Sequence, residues 1–309
     1  MSKVPVDHSA VSSPPKKEGD GGFLGAMTET LKKEGVDVAP AVAAHAPAKG
    51  VLANIRKGRK NSPPRIVLVG TEGIGKSTWA AKAPSPIIIP TEDGLDHIDC
   101  EKFTWEDGRR KKANTLQEVL EVLTGLASEP HTYQTLAIDS VDWLEKLILA
   151  NVCRKMAKKN IEDIGYAKGY IYALDDWREV LDLLTRCRTR GMAIILIAHA
   201  KVERFEDPEN PAYDRYTPRL HKHAQALLTE WADAVLFATR RMTTKREDKS
   251  DDTSRPLAIP VGANGGDRII RTVGGPACIA KNRYDLPPEI PMDWNAFQAG
   301  LAAFMSKTA

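Results

Sequence analysis

From Arg65 onward the chain sets short, nearly unbroken apolar runs against longer segments whose apolar positions recur every three or four residues. The runs are IVLV (66–69), PIIIP (86–90), TLAID (135–139), AIILIAH (193–199) and AVLFAT (234–239). Runs this short, apolar at successive positions, describe strands buried on both faces. Helical spacing predicts helices near 76–82, 115–127, 141–158, 174–190 and 222–231. Strands alternating with helices in this way predict an α/β fold, a mostly parallel sheet flanked by helices. After Arg241 the rhythm breaks. A polar loop, KREDKSDDTSRP, leads to DRIIRT, a Gly-Gly-Pro turn at 274–276 and ACIAKNR, which read as a C-terminal β-hairpin.

Before Arg65 the pattern is missing. Residues 1 to 22 are rich in Pro, Gly, Ser and Lys and are expected to be disordered. FLGAMTETLKKEG (23–35) places Phe23, Met27 and Leu31 at helical spacing, so one short amphipathic helix is expected there. The expected organisation is a tail and linker over 1–60 and a single core domain over 61–305. The basic run Arg56, Lys57, Arg59, Lys60 suits a solvated linker or a contact with DNA.

With 309 residues, 42% of them hydrophobic and 28% charged, the chain can bury a full core. Its net charge of +3 resides in the tail: residues 1–64 carry ten Lys/Arg against six Asp/Glu, leaving 34 against 35 for the rest. A neutral core excludes a global field for a polyanion, so any nucleic-acid contact must be made by local loops. The cysteines, Cys100, Cys153, Cys187 and Cys278, are too scattered for a metal site or a disulfide framework. No apolar run approaches membrane-spanning length and no signal-peptide pattern opens the chain, so a soluble cytoplasmic protein is expected.

The strongest chemical signal follows the first strand. Gly70, Thr71, Glu72, Gly73, Ile74, Gly75, Lys76, Ser77 and Thr78 complete G-x-x-x-x-G-K-[ST] between a buried strand and a helix start. The glycines allow backbone N–H groups to turn onto phosphates. Lys76 is expected to neutralise the β- and γ-phosphates and Ser77 to hold Mg²⁺, which makes ATP and Mg²⁺ the implied ligands.

In a parallel sheet the ligand lies beyond the carboxyl ends of the strands, so the polar residue closing each apolar run is informative. Asp139 closes the third run and suits the carboxylate that holds Mg²⁺ through water. Glu92, in PTEDGLD after the second, suits a base that orients the attacking water, with Asp93 competing for the role. His199 closes the fourth and suits a sensor of the γ-phosphate, unless it only satisfies a strand end.

These segments, in this order, resemble the RecA family. IIIPTEDGLDHI resembles its strand-plus-glutamate segment, LAIDSVDWLEKL its Walker B segment, and AIILIAHA its sensor strand, where RecA has Gln and some ring helicases have His. IAKNR (279–283) resembles the strand by which hexameric helicases of the DnaB class send a Lys and an Arg into a neighbour's ATP site. The resemblance implies a RecA-like P-loop NTPase core, a homo-oligomer as ring or filament, and Lys281 and Arg283 acting in trans. Phe23-Leu-Gly-Ala26 matches the F-x-x-A docking element of archaeal and eukaryotic RecA relatives. The whole is similar to small phage-encoded RecA-like ATPases that anneal single strands, which implies single-stranded DNA as partner, a host bacterial cytoplasm, and a single-strand-binding protein as a further candidate partner. Against RecA, the C-terminal DNA-gathering domain is expected to be missing. Annealing or loading onto single strands is therefore implied ahead of homology search.

Two segments occupy the places of the RecA DNA loops. KVERFEDPENPAYDRYTPRLHKH (201–223) offers Lys201, Arg204, Arg215, Arg219 and Lys222 to phosphates and Phe205, Tyr213 and Tyr216 to bases, although five acids cancel its charge. GYAKGYIY (165–172) sets Lys168 between Tyr166 and Tyr170. Competing readings remain. A small-molecule kinase would share the phosphate loop but should carry an arginine-rich lid. A signalling ATPase of the same superfamily would dispense with DNA loops, and a slow nucleotide-gated clamp would act more as structure than as motor. A DnaB-class helicase or loader is the nearest alternative.

Overall fold

The computed structural model of the chain describes residues 50–55, 62–207, 211–245, 257–262 and 265–306. The chain divides into two units, Met1–Gly58 and Arg59–Ala309. Of the first, one 3-10 turn, Gly50–Asn54, is described. The expected helix at 23–35, the Phe23-Leu-Gly-Ala26 element and the basic run at 56–60 lie outside the described residues.

The second unit runs β1 (Arg65–Gly70), α1 (Lys76–Ala81), β2 (Pro86–Pro90), α2 (Leu116–Ser128), β3 (Thr135–Asp139), α3 (Val141–Lys155), α4 (Lys168–Thr189), β4 (Ala193–Phe205), β5 (Tyr213–Pro218), α5 (Lys222–Trp231) and β6 (Ala234–Arg240). It continues through β7 (Met242–Lys245), β8 (Leu257–Pro260), β9 (Arg268–Arg271), β10 (Lys281–Asn282), β11 (Glu289–Pro291) and α6 (Trp294–Ser306). The parallel part of the sheet has the order β6-β1-β4-β3-β2. In this order β4 stands between the strand carrying the phosphate loop and the strand ending in Asp139.

The apolar runs lack alternation because both faces of the sheet are covered. Val67 and Val69 join a core with Leu136, Ile138 and helices α2 to α5, whereas Ile66 and Leu68 face Ala137, Ile195, α1 and α6 on the other side. α2 starts where Thr115 and Glu118 form a reciprocal capping box. α6 seals the second core by setting Trp294 and Phe297 edge-on to Trp79, with ring centroids 4.6 and 5.4 Å away.

The structure departs from the sequence expectation in several places. The segment after His199 is a two-stranded ribbon: β4 runs on to Phe205 and pairs with β5 from Ala200↔Pro218 to Phe205↔Tyr213. Most of its side chains stay partly or fully exposed, so no apolar alternation marked it as strand. GYAKGYIY is mostly helix, since α4 begins at Lys168. Gly169 lies against Ile161, where a Cβ would come within 2.7 Å of its side chain, and Tyr170 stacks on His221 at 4.0 Å. In the C-terminal antiparallel part the partners are others than expected: β9 pairs with β6 and β11, while β10 pairs with the start of β6.

Candidate active site

Register brings residues of five parallel strands together at one end of the sheet. Gly70 lies beside His199 and Ala238, and Asp139 beside Pro90 and Ile197. The phosphate loop leaves β1 there. Gly73 and Gly75 have φ of +70° and +105°, which suits glycine alone, and a Cβ on Gly70 would lie 2.8 Å from the Ala238 carbonyl. Lys76 is 5% exposed, and its ammonium donates to the carbonyls of Gly70 (3.0 Å) and Thr71 (2.9 Å). Burial lowers its pKa against the pull of Asp139, Asp142, Glu92 and Glu72. A buried amine held only by carbonyls is suited to receive an anion.

Asp139, 4% exposed, takes a hydrogen bond from the Ser77 hydroxyl. Burial raises its pKa, while that bond and the charge of Lys76 oppose the rise. The pair offers hard oxygen donors in one buried corner, which fits Mg²⁺, an ion that takes one or two protein oxygens together with phosphate. The end of β2 is tied to that of β3, because the Thr91 N–H donates to the Asp139 carbonyl (2.8 Å) and the Thr91 hydroxyl to the Ser140 carbonyl (2.6 Å). Glu92 consequently projects toward the loop, its carboxylate 3.8 Å from His199 Nδ1. Burial raises its pKa. Asp93, with a side chain 72% exposed, is bonded instead to Lys112 at 2.6 Å. The Gly73–Thr78 turn, Glu92, Asp139, His199, Leu95 and Ile98 enclose a cavity of about 330 Å³, with Asp93 at its wall. A larger groove of about 750 Å³ between α2 and α4 is lined by surface side chains such as Glu121 and Arg178 and holds none of these groups.

Residues 62–284 match the model of the AAA domain family, and this stretch contains the whole constellation. The chain belongs to the AAA domain family. It is 26% identical over 178 residues to the SPbeta prophage-derived uncharacterized protein YorG of Bacillus subtilis (strain 168), covering 56% of this chain and 49% of that protein. The chain thus spans about half the length of the curated relative it matches. A solved structure, the flagellar accessory protein FlaH from Methanocaldococcus jannaschii, matches 74% of this chain and 85% of its own at 11% identity and a TM-score of 0.37. Membership makes this a nucleotide-binding domain of ATPase type. No helix among the described residues is long and apolar enough to cross a membrane.

The AAA domain also holds residues at its site that the sequence did not mark. Asp142, 3% exposed in the first turn of α3, accepts from the His199 backbone N–H (3.0 Å) and from Nδ1 (3.1 Å). Arg219 joins it at 2.9 Å and also reaches Glu72 at 3.1 Å. Burial alone would raise the Asp142 pKa, but His199 and Arg219 together hold it well below the carboxylate range. An acid in the first turn of a helix reads as dipole complement, which hid this one. Arg219, expected on the DNA loop, is turned back after Pro218, its N–H bonded to the His199 carbonyl at 2.7 Å, and serves the acids of the nucleotide site instead.

The remaining expected residues are dispersed. Arg204 and Arg215 lie on the ribbon, Arg215 stacked over Phe205 at 3.6 Å. Lys201, at its base, donates to the Leu220 carbonyl at 3.1 Å. Lys168 is exposed in the first turn of α4 rather than on a loop. Lys281 and Arg283 lie at the opposite end of the sheet from the phosphate loop. Lys281 does not project as half of an open cationic pair: its ammonium is taken up by the carbonyls of Thr229, Glu230 and Ala232 at the end of α5, 2.7 to 3.0 Å away. Arg283, with a side chain 53% exposed, makes a 3.3 Å contact with Asp233, which Arg65 and Arg188 hold more closely.

Glu145, one turn beyond Asp142, accepts from the His221 N–H at 2.9 Å, and burial raises its pKa from 4.5 to about 7 despite that bond and nearby Lys201. The folded state therefore keeps a proton that the unfolded chain loses, and stability falls as pH rises from 4.5 to about 7. Glu145→Gln, which keeps an acceptor for His221, should gain about 1–3 kcal/mol over wild type at about pH 8 and little at about pH 4. Urea unfolding at both pH values measures the difference.

Proposed function

We propose that this AAA domain protein hydrolyses MgATP and acts on single-stranded DNA, in strand annealing or recombination of the phage type. The observation that carries the ATPase reading is the convergence of Lys76, Ser77, Asp139, Glu92 and His199 on one cavity at the strand ends. Lys76 holds the β- and γ-phosphates, and Ser77 and Asp139 hold Mg²⁺, which when bound screens the developing phosphate charge. Glu92 accepts a proton from the attacking water, a task that suits a half-buried carboxylate whose pKa is raised. His199, oriented by Asp142 through Nδ1, keeps Nε2 for the γ-phosphate.

The strand-binding part rests on the ribbon, a direct extension of the sensor strand that carries Arg204, Arg215, Phe205 and Tyr213 and encloses a cavity of about 530 Å³ with α5 and Lys281. The prophage origin of the curated relative agrees with a phage-type role. The reading includes a homo-oligomer: Arg283 stands at the opposite end of the sheet from its own phosphate loop, so as a finger it acts on the ATP of a second copy stacked head to tail.

Filter binding of single-stranded DNA at several salt concentrations tests the strand-binding reading. Arg204→Ala with Arg215→Ala should weaken binding and lower the slope of log K against log salt by about 0.7 for each phosphate that is no longer neutralised. Unchanged affinity and slope would remove the ribbon as the surface.

A further inference from the structure

Behind the phosphate loop, on the side away from Glu92, lies a second cavity of about 390 Å³. Its wall includes the outer turn of the loop, Thr71 to Ile74, together with Tyr216, Phe237, Arg240, Met242 and Arg271. It shares only Gly73 with the cavity that contains Lys76.

Tyr216 is held firmly. Its backbone pairs with Val202 across the ribbon, donates to the Ala277 carbonyl at 2.9 Å and accepts from the Ile279 N–H at 3.1 Å. Its ring stacks on Phe237 at 5.1 Å and 27°, and Phe237 is 2% exposed, yet Tyr216 itself remains 37% exposed. An aromatic ring anchored through one face and open at the other is a stacking platform with little freedom left to lose. Arg240 and Arg271 line the same cavity, Arg240 donating to the Gly266 carbonyl at 3.1 Å and Arg271 bonded to the Cys278 thiol, and its one acid, Glu72, is ion-paired with Arg219. A flat aromatic face beside cations matches one nucleotide: the base on the ring, the phosphate at a guanidinium.

We propose that this cavity takes one nucleotide of a bound single strand, its base against Tyr216 and its phosphate at Arg271. The inference rests on the strand-binding reading above and gives that reading a second, separate subsite. ATP and the strand then occupy the two sides of the same loop, with the turn from Thr71 to Ile74 between them. Leu95 and Ile98 give the cavity containing Lys76 an apolar wall of its own.

The test is fluorescence anisotropy of a labelled oligothymidylate with wild type, Tyr216→Leu and Arg271→Gln, each over a range of salt, beside titration with a fluorescent ATP analogue. Leucine keeps the apolar packing on Phe237, and thermal melting checks that each variant is folded. Tyr216→Leu should bind the strand about five- to a hundredfold more weakly with an unchanged salt slope. Arg271→Gln should lower that slope by about 0.7. In wild type, a photoreactive thymine analogue in the strand should crosslink to the peptides holding Tyr216 or Met242. Wild-type binding matched by both variants, or crosslinks found only elsewhere, would overturn this subsite and leave strand binding standing. A loss of ATP affinity with strand affinity intact would assign the cavity to the base of ATP and overturn it too. A wild type that binds no strand would overturn the strand-binding reading along with it.

Discussion

Glu92→Gln is expected to bind ATP within a few-fold of wild type and to hydrolyse it about 10²- to 10⁴-fold more slowly. The amide keeps the size and the hydrogen-bonding reach of the carboxylate, so the cavity and the phosphate contacts of Lys76 persist. What it cannot do is take a proton from water as the new P–O bond forms. That deficit is felt in the transition state and hardly at all in the bound ground state. Asp93→Asn provides the internal comparison, because Asp93 is directed to Lys112 at the surface. Should Asp93→Asn abolish turnover while Glu92→Gln keeps it, single-turnover kinetics would show the base to be the neighbouring residue.

Arg283→Ala is expected to lower turnover by about 10³- to 10⁵-fold while each subunit still binds ATP, the size of effect that an arginine supplied from outside a phosphoryl-transfer site can have. The fold should survive the change. Arg283 is half exposed, its contact with the buried Asp233 is the longest of three, and Arg65 and Arg188 remain to hold that carboxylate. Lys281 belongs to a different case. It caps the carbonyls ending α5, so Lys281→Ala should lower stability as well as any trans contribution. Mixing Arg283→Ala with Lys76→Ala, each inactive alone, should restore part of the activity, since some interfaces would unite an intact loop with an intact arginine. Mixtures that co-assemble by sizing and recover nothing would place the complete site within one chain.

The parallel core was legible because its physics is local. Strands covered on both faces read as unbroken apolar runs, the glycine loop has a fixed spacing, and polar residues after such runs must stand at the ligand end of the sheet. The ribbon was not legible, since Val202, Glu203 and Arg204 stay exposed and nothing distinguishes such a strand from a loop. The start of α4 was hidden by Gly169, a residue that reads as a loop until its packing against Ile161 is seen. α6 carries a readable signal in Trp294, Phe297, Leu301 and Phe304, spaced for one helical face. The pairing of Arg219 with Asp142 joins residues 77 apart in sequence, beyond the reach of any local pattern.

ATP turnover measured with and without single-stranded DNA, at fixed protein and Mg²⁺, tests the central claim most directly. The account predicts hydrolysis that requires Mg²⁺, vanishes in Lys76→Ala and rises when the single strand is added. Turnover indifferent to the strand, or no turnover under any of these conditions, would contradict it.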